Sequence, residues 1–431
     1  MYDTSALTSC LQRLSWSPER LAREINRICG TGTISSKAPY NWLKGSRPRG
    51  RLPHVVAKIL SGRLGETVTV DALWSVKPAA RSTGGLHLPP QRGTPERQSG
   101  REAVDAAVDW LVDTDRPPVA RTGGEEVGPA MLAALVARIC QLRRLDDTCG
   151  GKLVLDWTLQ DLRWARKLAA EASYDEPTGV RLHTAVAELG QLAGWIAADL
   201  GMEAQSRTHL LGALHAARTA GDRLLGAYII SCLSYHAAWD RRGEEALRLI
   251  RIARKGVENE PVGLGQALLA TRQARAHASL GDRKSCERVL DEAAGLSDGR
   301  EAGVGAPWGY WLVPAVMVAD AGRAWLETGR PDRAEENLAH GLELLGETQP
   351  LNRLLHHTSL AEARLARRDV DGAAAAADAA LDLAEHTTSV RANVRLAGLR
   401  RRFEEHNATA VRHVVQRTEH LLARRPATTA G

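Results

Sequence analysis

The stretch 317–345, MVADAGRAWLETGRPDRAEENLAHGLELL, decides the fold class. Apolar and small residues recur three and four apart on both sides of Gly329-Arg330-Pro331, which is the spacing of two helices joined by a short turn. The pattern repeats along the chain. With Ala334 as reference, small residues stand at Ser206, Ala246, Cys286, Ala334 and Ala373, in steps of 40, 40, 48 and 39. Twelve residues earlier come Gly194, Ser234, Ala274, Gly322 and Ala361, and seven later Ala213, Ala253, Ala293, Gly341 and Ala380. Small side chains let antiparallel helices approach closely, once within a pair and once between pairs. Ala, Leu and Arg are abundant and β-branched runs are few, so the chain is expected to be all-α.

This segment resembles a tetratricopeptide repeat, which implies an α-solenoid of stacked helix pairs. Gly201, Gly281 and Gly329 fall at the turn, and Arg241 and Arg368 replace the glycine elsewhere. The steps exceed the ~34 residues of that repeat, so longer helices or looser connections are expected. Helical pairs near 130–173 and 389–423 are expected to cap the stack, and an insertion at Ala302–Pro314 accounts for the step of 48.

Outward from the repeats, the 431 residues suffice for two or three domains. Residues 77–100 are rich in Pro, Gly, Ser and Arg, and Asp113–Gly128 is a second loose stretch. The expected organisation is a small domain over 1–76, a linker and loosely ordered connection over 77–128, and a helical repeat domain over 129–425. Charge divides along the same lines. Residues 1–78 hold 12 Lys and Arg against 5 Asp and Glu, a balance of +7 in a chain whose total is +6. A compact basic unit on a near-neutral body points to a polyanionic partner for the first part only. The six Cys (10, 29, 140, 149, 232 and 286) include no closely spaced pair, so reduced, mostly buried thiols are expected rather than a zinc site. The N-terminus shows no signal-peptide pattern, and neither Leu224–Trp239 nor Ala302–Ala319 is long and apolar enough to span a bilayer. The expectation is a cytoplasmic protein without a membrane partner.

Within the basic unit, Ser17-Pro18 opens a helix that places Leu21, Ile25 and Ile28 on one face and Arg20, Arg23 and Arg27 on another. A second helix is expected over 37–44, stopped at Gly45. A basic loop follows at 46–51, then an amphipathic helix at 53–65 and the segment 68–74, which close the small core. Leu21-Ala22, Asn41-Trp42-Leu43-Lys44-Gly45, Arg47-Pro48 and 63–74 resemble the phage-repressor-like helix-turn-helix of actinobacterial regulators. The resemblance continues through 128–151 and the repeats. It implies a helix-turn-helix plus tetratricopeptide transcriptional regulator, related in architecture to the peptide-sensing regulators of Gram-positive bacteria. About seven extra residues around 29–33 widen the turn relative to the compact motif. The implied partner is double-stranded DNA, bound by a homodimer over two half-sites. In that reading Lys37, Tyr40, Asn41 and Lys44 face outward toward base edges while Pro39 and Trp42 face inward, and Arg47, Arg49 and Arg51 hold phosphates.

In a stack of helix pairs the first helix of each pair lines a concave groove. The positions facing it are Gln191, Trp195 and Asp199, then Tyr228, Ser231, Tyr235 and Trp239, then Thr271, Arg275, Arg323 and Glu327. The proposed ligand set is Trp195, Tyr228, Tyr235, Trp239, Arg275 and Arg323, suited to a peptide or a small amphipathic effector. No cofactor, metal or catalytic constellation is expected. Gly150-Gly151-Lys152-Leu153 lacks the first Gly and the hydroxyl of a phosphate loop, His356-His357 point about 100° apart on a helix, and no HExxH or GxSxG occurs. The alternative is a non-enzymatic interaction scaffold whose basic head meets protein or RNA.

Overall fold

The computed structural model describes residues 6–30, 32–43, 46–48, 52–64, 68–74, 95–113, 118–260, 263–297, 307–309, 311–406 and 408–424. Among them the protein is all-α: helices account for the regular structure, and β pairing is limited to isolated bridges. The chain divides into two compact units, Met1–Asp115 and Arg116–Gly431.

The N-terminal unit consists of α1 (Ala6–Arg13), α2 (Pro18–Cys29), α3 (Ala38–Leu43), α4 (Leu52–Leu64), α5 (Val70–Leu73) and α6 (Pro95–Val112). The Ser17 hydroxyl caps α2 by accepting from the Arg20 amide, with Pro18 in the first turn. Leu21, Ala22 and Ile25 from α2, Trp42 from α3, Val56, Ile59 and Leu60 from α4, and Leu7 and Leu11 from α1 form one buried core.

Part of the connection assigned to 77–128 needs correcting; its residues 77–94 and 114–117 lie outside the described residues. Residues 95–112 form α6, which packs on α2 and α4 and belongs to the N-terminal unit. Ala103, Val104, Ala107 and Trp110 are buried on it, and Lys58 of α4 pairs with Asp109 at 3.1 Å. Their helical spacing was present in the sequence but followed a Pro- and Arg-rich run that masked it. Residues 118–128 carry no helix yet are pinned. Arg121 and Tyr174 exchange both backbone hydrogen bonds at 2.9 Å, and the Glu176 carboxylate accepts from the amides of Val119 and Ala120 at 2.8 and 3.0 Å.

The second unit is a stack of helix pairs: α7 (Pro129–Thr148) with α8 (Lys152–Glu171), α9 (Glu176–Asp199) with α10 (Glu203–Ala220), α11 (Arg223–Trp239) with α12 (Gly243–Gly256), and α13 (Leu264–Ser279) with α14 (Arg283–Ser297). Then come α15 (Pro314–Glu327) with α16 (Pro331–Leu345), α17 (Pro350–Ala366) with α18 (Val370–His386), and α19 (Val390–Phe403) with α20 (Thr409–Ala423). The three columns of small residues are buried where these helices cross. The Ser234 hydroxyl donates to the Ala246 carbonyl at 2.9 Å. A Cβ on Gly322 would stand 2.6 Å from Leu338 Cγ, and one on Gly341 2.7 Å from Ala319 Cβ. The turn glycines have positive φ, and Arg241 and Arg368 adopt the same left-handed conformation at φ 61° and 65°.

The first and last pairs do more than cap the stack: they meet. α19 packs on α9 as well as α17, α7 touches α17, and Gly150 bridges to Thr388 through a Thr388 amide to Cys149 carbonyl bond of 3.2 Å. The stack therefore closes on itself, with α7, α9, α11, α13, α15, α17 and α19 turned inward around a central space.

Because the added Cβ in Gly341→Ala meets helix backbone as well as the Ala319 side chain, the close crossing of α15 and α16 must open. Denaturant unfolding is expected to show a loss of about 1–3 kcal/mol. An unchanged midpoint would mean the crossing is looser than described.

Candidate functional site

Two regions carry exposed or convergent polar chemistry. The first is the face of α3. Pro39 and Trp42 are buried against the core, while Lys37, Tyr40 and Asn41 are exposed, as the spacing required. Arg47 is exposed and Pro48 beside it is buried, which anchors the start of the basic loop. Lys44, Arg49 and Arg51 lie outside the described residues. The helix is one residue shorter at its start than the expected 37–44.

The eight-residue turn between α2 and α3 is held by a side chain that sequence reasoning passed over. The Asn26 amide donates to the Ile34 carbonyl and accepts from the Ile34 amide, both at 2.9 Å, as a neighbouring strand would. Ile34 is thereby inserted into the core. Thr33 adds a bond to the Gly30 carbonyl at 2.6 Å, and Gly30 and Gly32 take positive φ. The only hint in the sequence was an Asn on an otherwise Arg-rich helix face. Tyr40 also has a partner that was not anticipated: its hydroxyl donates to the Glu19 carboxylate. That bond lowers the Glu19 pKa and raises that of Tyr40.

The second region is the central space of the stack. Trp195, Tyr228 and Tyr235 line it together with Arg143, Asp146, Gln191, Arg272, Asp320 and Arg391. The other three residues of the expected ligand set sit elsewhere. Trp239 lines an adjoining cavity, Arg323 lines a shallow depression beside Glu327 and Glu362, and Arg275 is sealed beneath, 3.2 Å from Glu327. The groove is not an open trough, because α19 occupies it. Arg391 pairs with Asp199 at 2.8 Å, and its guanidinium lies 5.3, 5.4 and 5.7 Å from the ring centres of Trp195, Tyr235 and Trp239. Arg395 reaches the Leu355 carbonyl at 2.8 Å, Ser359 Oγ at 2.7 Å and Glu362 at 3.3 Å. A relay of ion pairs, Arg275–Glu327–Arg323–Glu362–Arg395, ties α13, α15, α17 and α19 together.

The insertion before α15 also enters the groove. Trp308 is buried and stacks on Tyr228 with centroids 4.5 Å apart and planes within 9°. Trp311 lies 6.0 Å from the same ring. The aromatic content of that insertion was the available signal. What remains is a cavity of about 80 Å³ and, beside it, one of about 260 Å³ lined by Ser206, Arg207, Leu233, His236, Trp239, Arg242 and Val394. The first has room for a few waters or one small polar group.

The electrostatics reflect burial. Removal from water pushes the Asp146 carboxyl well up, aided by Asp199 and Asp147. Burial also raises Tyr235, but Arg391, Arg275 and Arg272 around the phenol outweigh it and hold its pKa below the ordinary value. His236 is pushed down to about 3 by burial and then by Arg391 and Arg272. Around the space several polar atoms have no hydrogen-bond partner: Arg143 Nε, Gln191 Oε1 and Arg272 Nη1. None of the six cysteines is in a disulfide, and Cys149 is exposed, because it closes the end of α7 rather than lying within it. Among the described residues no cluster of His, Cys, Asp and Glu is arranged to hold a metal, and no helix is long and apolar enough to cross a membrane.

Residues 7–73, the span from α1 to α5, match the family described as SP15 N-terminal domain. No curated protein matches the chain.

His356 on α17 gives a pH test of the packed interior. Burial lowers its pKa from 6.5 to about 4 despite Asp320, with Arg395, His357 and Arg275 adding to the shift. The unfolded chain takes up the proton below about pH 6.5 and the folded one does not until about pH 4, so this contribution is present above 6.5 and lost on acidification. Between about pH 7.5 and about pH 5, wild type is expected to lose about 2 kcal/mol relative to His356→Leu in urea unfolding. A pH-independent difference between the two would contradict a neutral buried imidazole.

Proposed function

We propose that this protein is a sequence-specific DNA-binding transcription regulator whose repeat unit dimerises and responds to a small effector. The observation that carries the reading is the division of α3: Pro39 and Trp42 hold it to the core, while Tyr40 and Asn41 project from it, with Lys37 just before the helix and Arg47 just after it also exposed. A helix presented this way fits the major groove, where Asn pairs bidentately with adenine and Lys donates to guanine. Arg47 at the start of the basic loop supplies a phosphate contact. The positive balance of the first 78 residues supports the same partner. In this reading Glu19 orients the Tyr40 ring over the interface, since its carboxylate engages the hydroxyl.

For the effector, a small molecule suits the repeat unit better than a long peptide. α19 already fills the groove, and the spaces left beside it measure about 80 and 260 Å³. Such a ligand acts only by binding one of two arrangements of the stack more tightly than the other.

Selection of genomic DNA fragments by the full chain at two salt concentrations tests the function. A regulator retains one class of fragment against competitor and loses affinity steeply with salt. Retention of none, or of all fragments alike, would leave a protein-interaction scaffold. Asn41→Ala is expected to cut affinity for the selected fragment by about tenfold or more and leave random DNA almost unaffected. Arg47→Ala is expected to weaken both by the same factor. Equal behaviour of the two variants would refute the assigned roles.

A further inference from the structure

α8 carries an apolar stripe on its outer face. Leu153 is 73% exposed, Trp157 46% and Trp164 42%, and Leu168 is half-buried. At 3.6 residues per turn these four lie within about 60° of one another around the helix. Large exposed aromatics aligned on one helix face mark a contact surface. Their order is palindromic: Leu, three residues, Trp, six residues, Trp, three residues, Leu. It matches itself when reversed about the midpoint between Gln160 and Asp161.

A two-fold contact presents the same patch from both partners. With the dyad at that midpoint, Trp157 of one copy meets Trp164 of the other, and Leu153 meets Leu168. The charged flank comes close to the same symmetry, Asp156 and Arg163 being centred one residue from that midpoint. Asp156 and Arg163 are both exposed on one side of the stripe, and antiparallel pairing turns that side toward its own equivalent. Asp156 of each copy then lies about 3 Å along the axis from Arg163 of the other, an offset these side chains can span, twice over. Within its own chain Asp156 has an exposed i,i+4 pair with Lys152, and Arg163 has no ion pair among the described residues. Such an exposed pair is easily exchanged for an intermolecular one. A foreign partner, or the N-terminal unit of the same chain, gives no reason for a palindrome.

We propose that α8 is a two-fold contact between two copies of this chain, centred on Trp157 and Trp164 and oriented by Asp156 and Arg163. This deepens the dimerisation stated above, but it does not rest on DNA binding, because the oligomer can be weighed without DNA. The test is sedimentation of the full chain and of two charge reversals. Asp156→Arg and Arg163→Asp each place like charges across the dyad, so each alone is expected to raise the dimer dissociation constant at least about tenfold. Mixed in equal amounts, each variant supplies the charge the other needs, and the heterodimer is expected to regain wild-type affinity. Trp157→Ala with Trp164→Ala is expected to give a monomer of unchanged helical content. A wild-type chain that stays monomeric at tens of micromolar would overturn the proposal. So would variants that dimerise like wild type, or a mixture no tighter than its components. A wild-type dimer that prefers no DNA fragment would support this contact while removing the regulator reading.

Discussion

The guanidinium of Arg391 is the pivot of the repeat unit. A buried charge costs several kcal/mol in lost hydration, and it persists only where a countercharge and polarisable groups replace the water. Asp199 supplies the first and the faces of Trp195, Tyr235 and Trp239 the second. Burial alone would lower the Arg391 pKa, but Asp199 and Tyr235 outweigh it and raise it, so the cation is retained. Because Arg391 comes from α19 and its partners from α9 and α11, satisfying this one charge requires the end of the stack to meet its beginning. The direction of α19, the inward turn of the aromatic side chains and the small volume left between them all follow.

Much of this was legible. The columns through Gly194, Ser206 and Ala213 and their counterparts could be read because close helix crossings tolerate only small residues, and that demand recurs at fixed spacing. The inward Pro39 and Trp42 and the outward Tyr40 and Asn41 could be read because helical period determines facing. The closure could not. Arg391 and Arg395 look like solvated charges on a capping helix, and nothing in a local pattern shows that a carboxylate some 190 residues earlier, Asp199, waits for one of them. Trp308 and Trp311 fell in an insertion that breaks the repeat, where periodicity carries no information. Asn26 was overlooked because its role depends on a loop conformation and not on a face.

The closed stack changes what the groove can do. Its polar residues are largely spent on one another, through the relay from Arg275 to Arg395 and the pair Arg143–Glu188 at 3.2 Å. The unpartnered donors and acceptors at Arg143, Gln191 and Arg272 remain beside a cavity too small for an extended chain. A molecule that engages them competes with, or reinforces, the hold of Arg391 on Asp199. Two outward surfaces differ in chemistry: α3 in the N-terminal unit presents hydrogen-bonding side chains, and α8 in the repeat unit presents an apolar row.

The most direct measurement of the closure is native-state hydrogen exchange across the repeat unit. If Arg391 ties the two ends together, the amides of 390–403 open only with those of α9, at the free energy of unfolding the whole unit, and Arg391→Leu uncouples them. Exchange of 390–403 in the wild-type protein well ahead of α9 and α17, with the rest of the stack still protected, would contradict it.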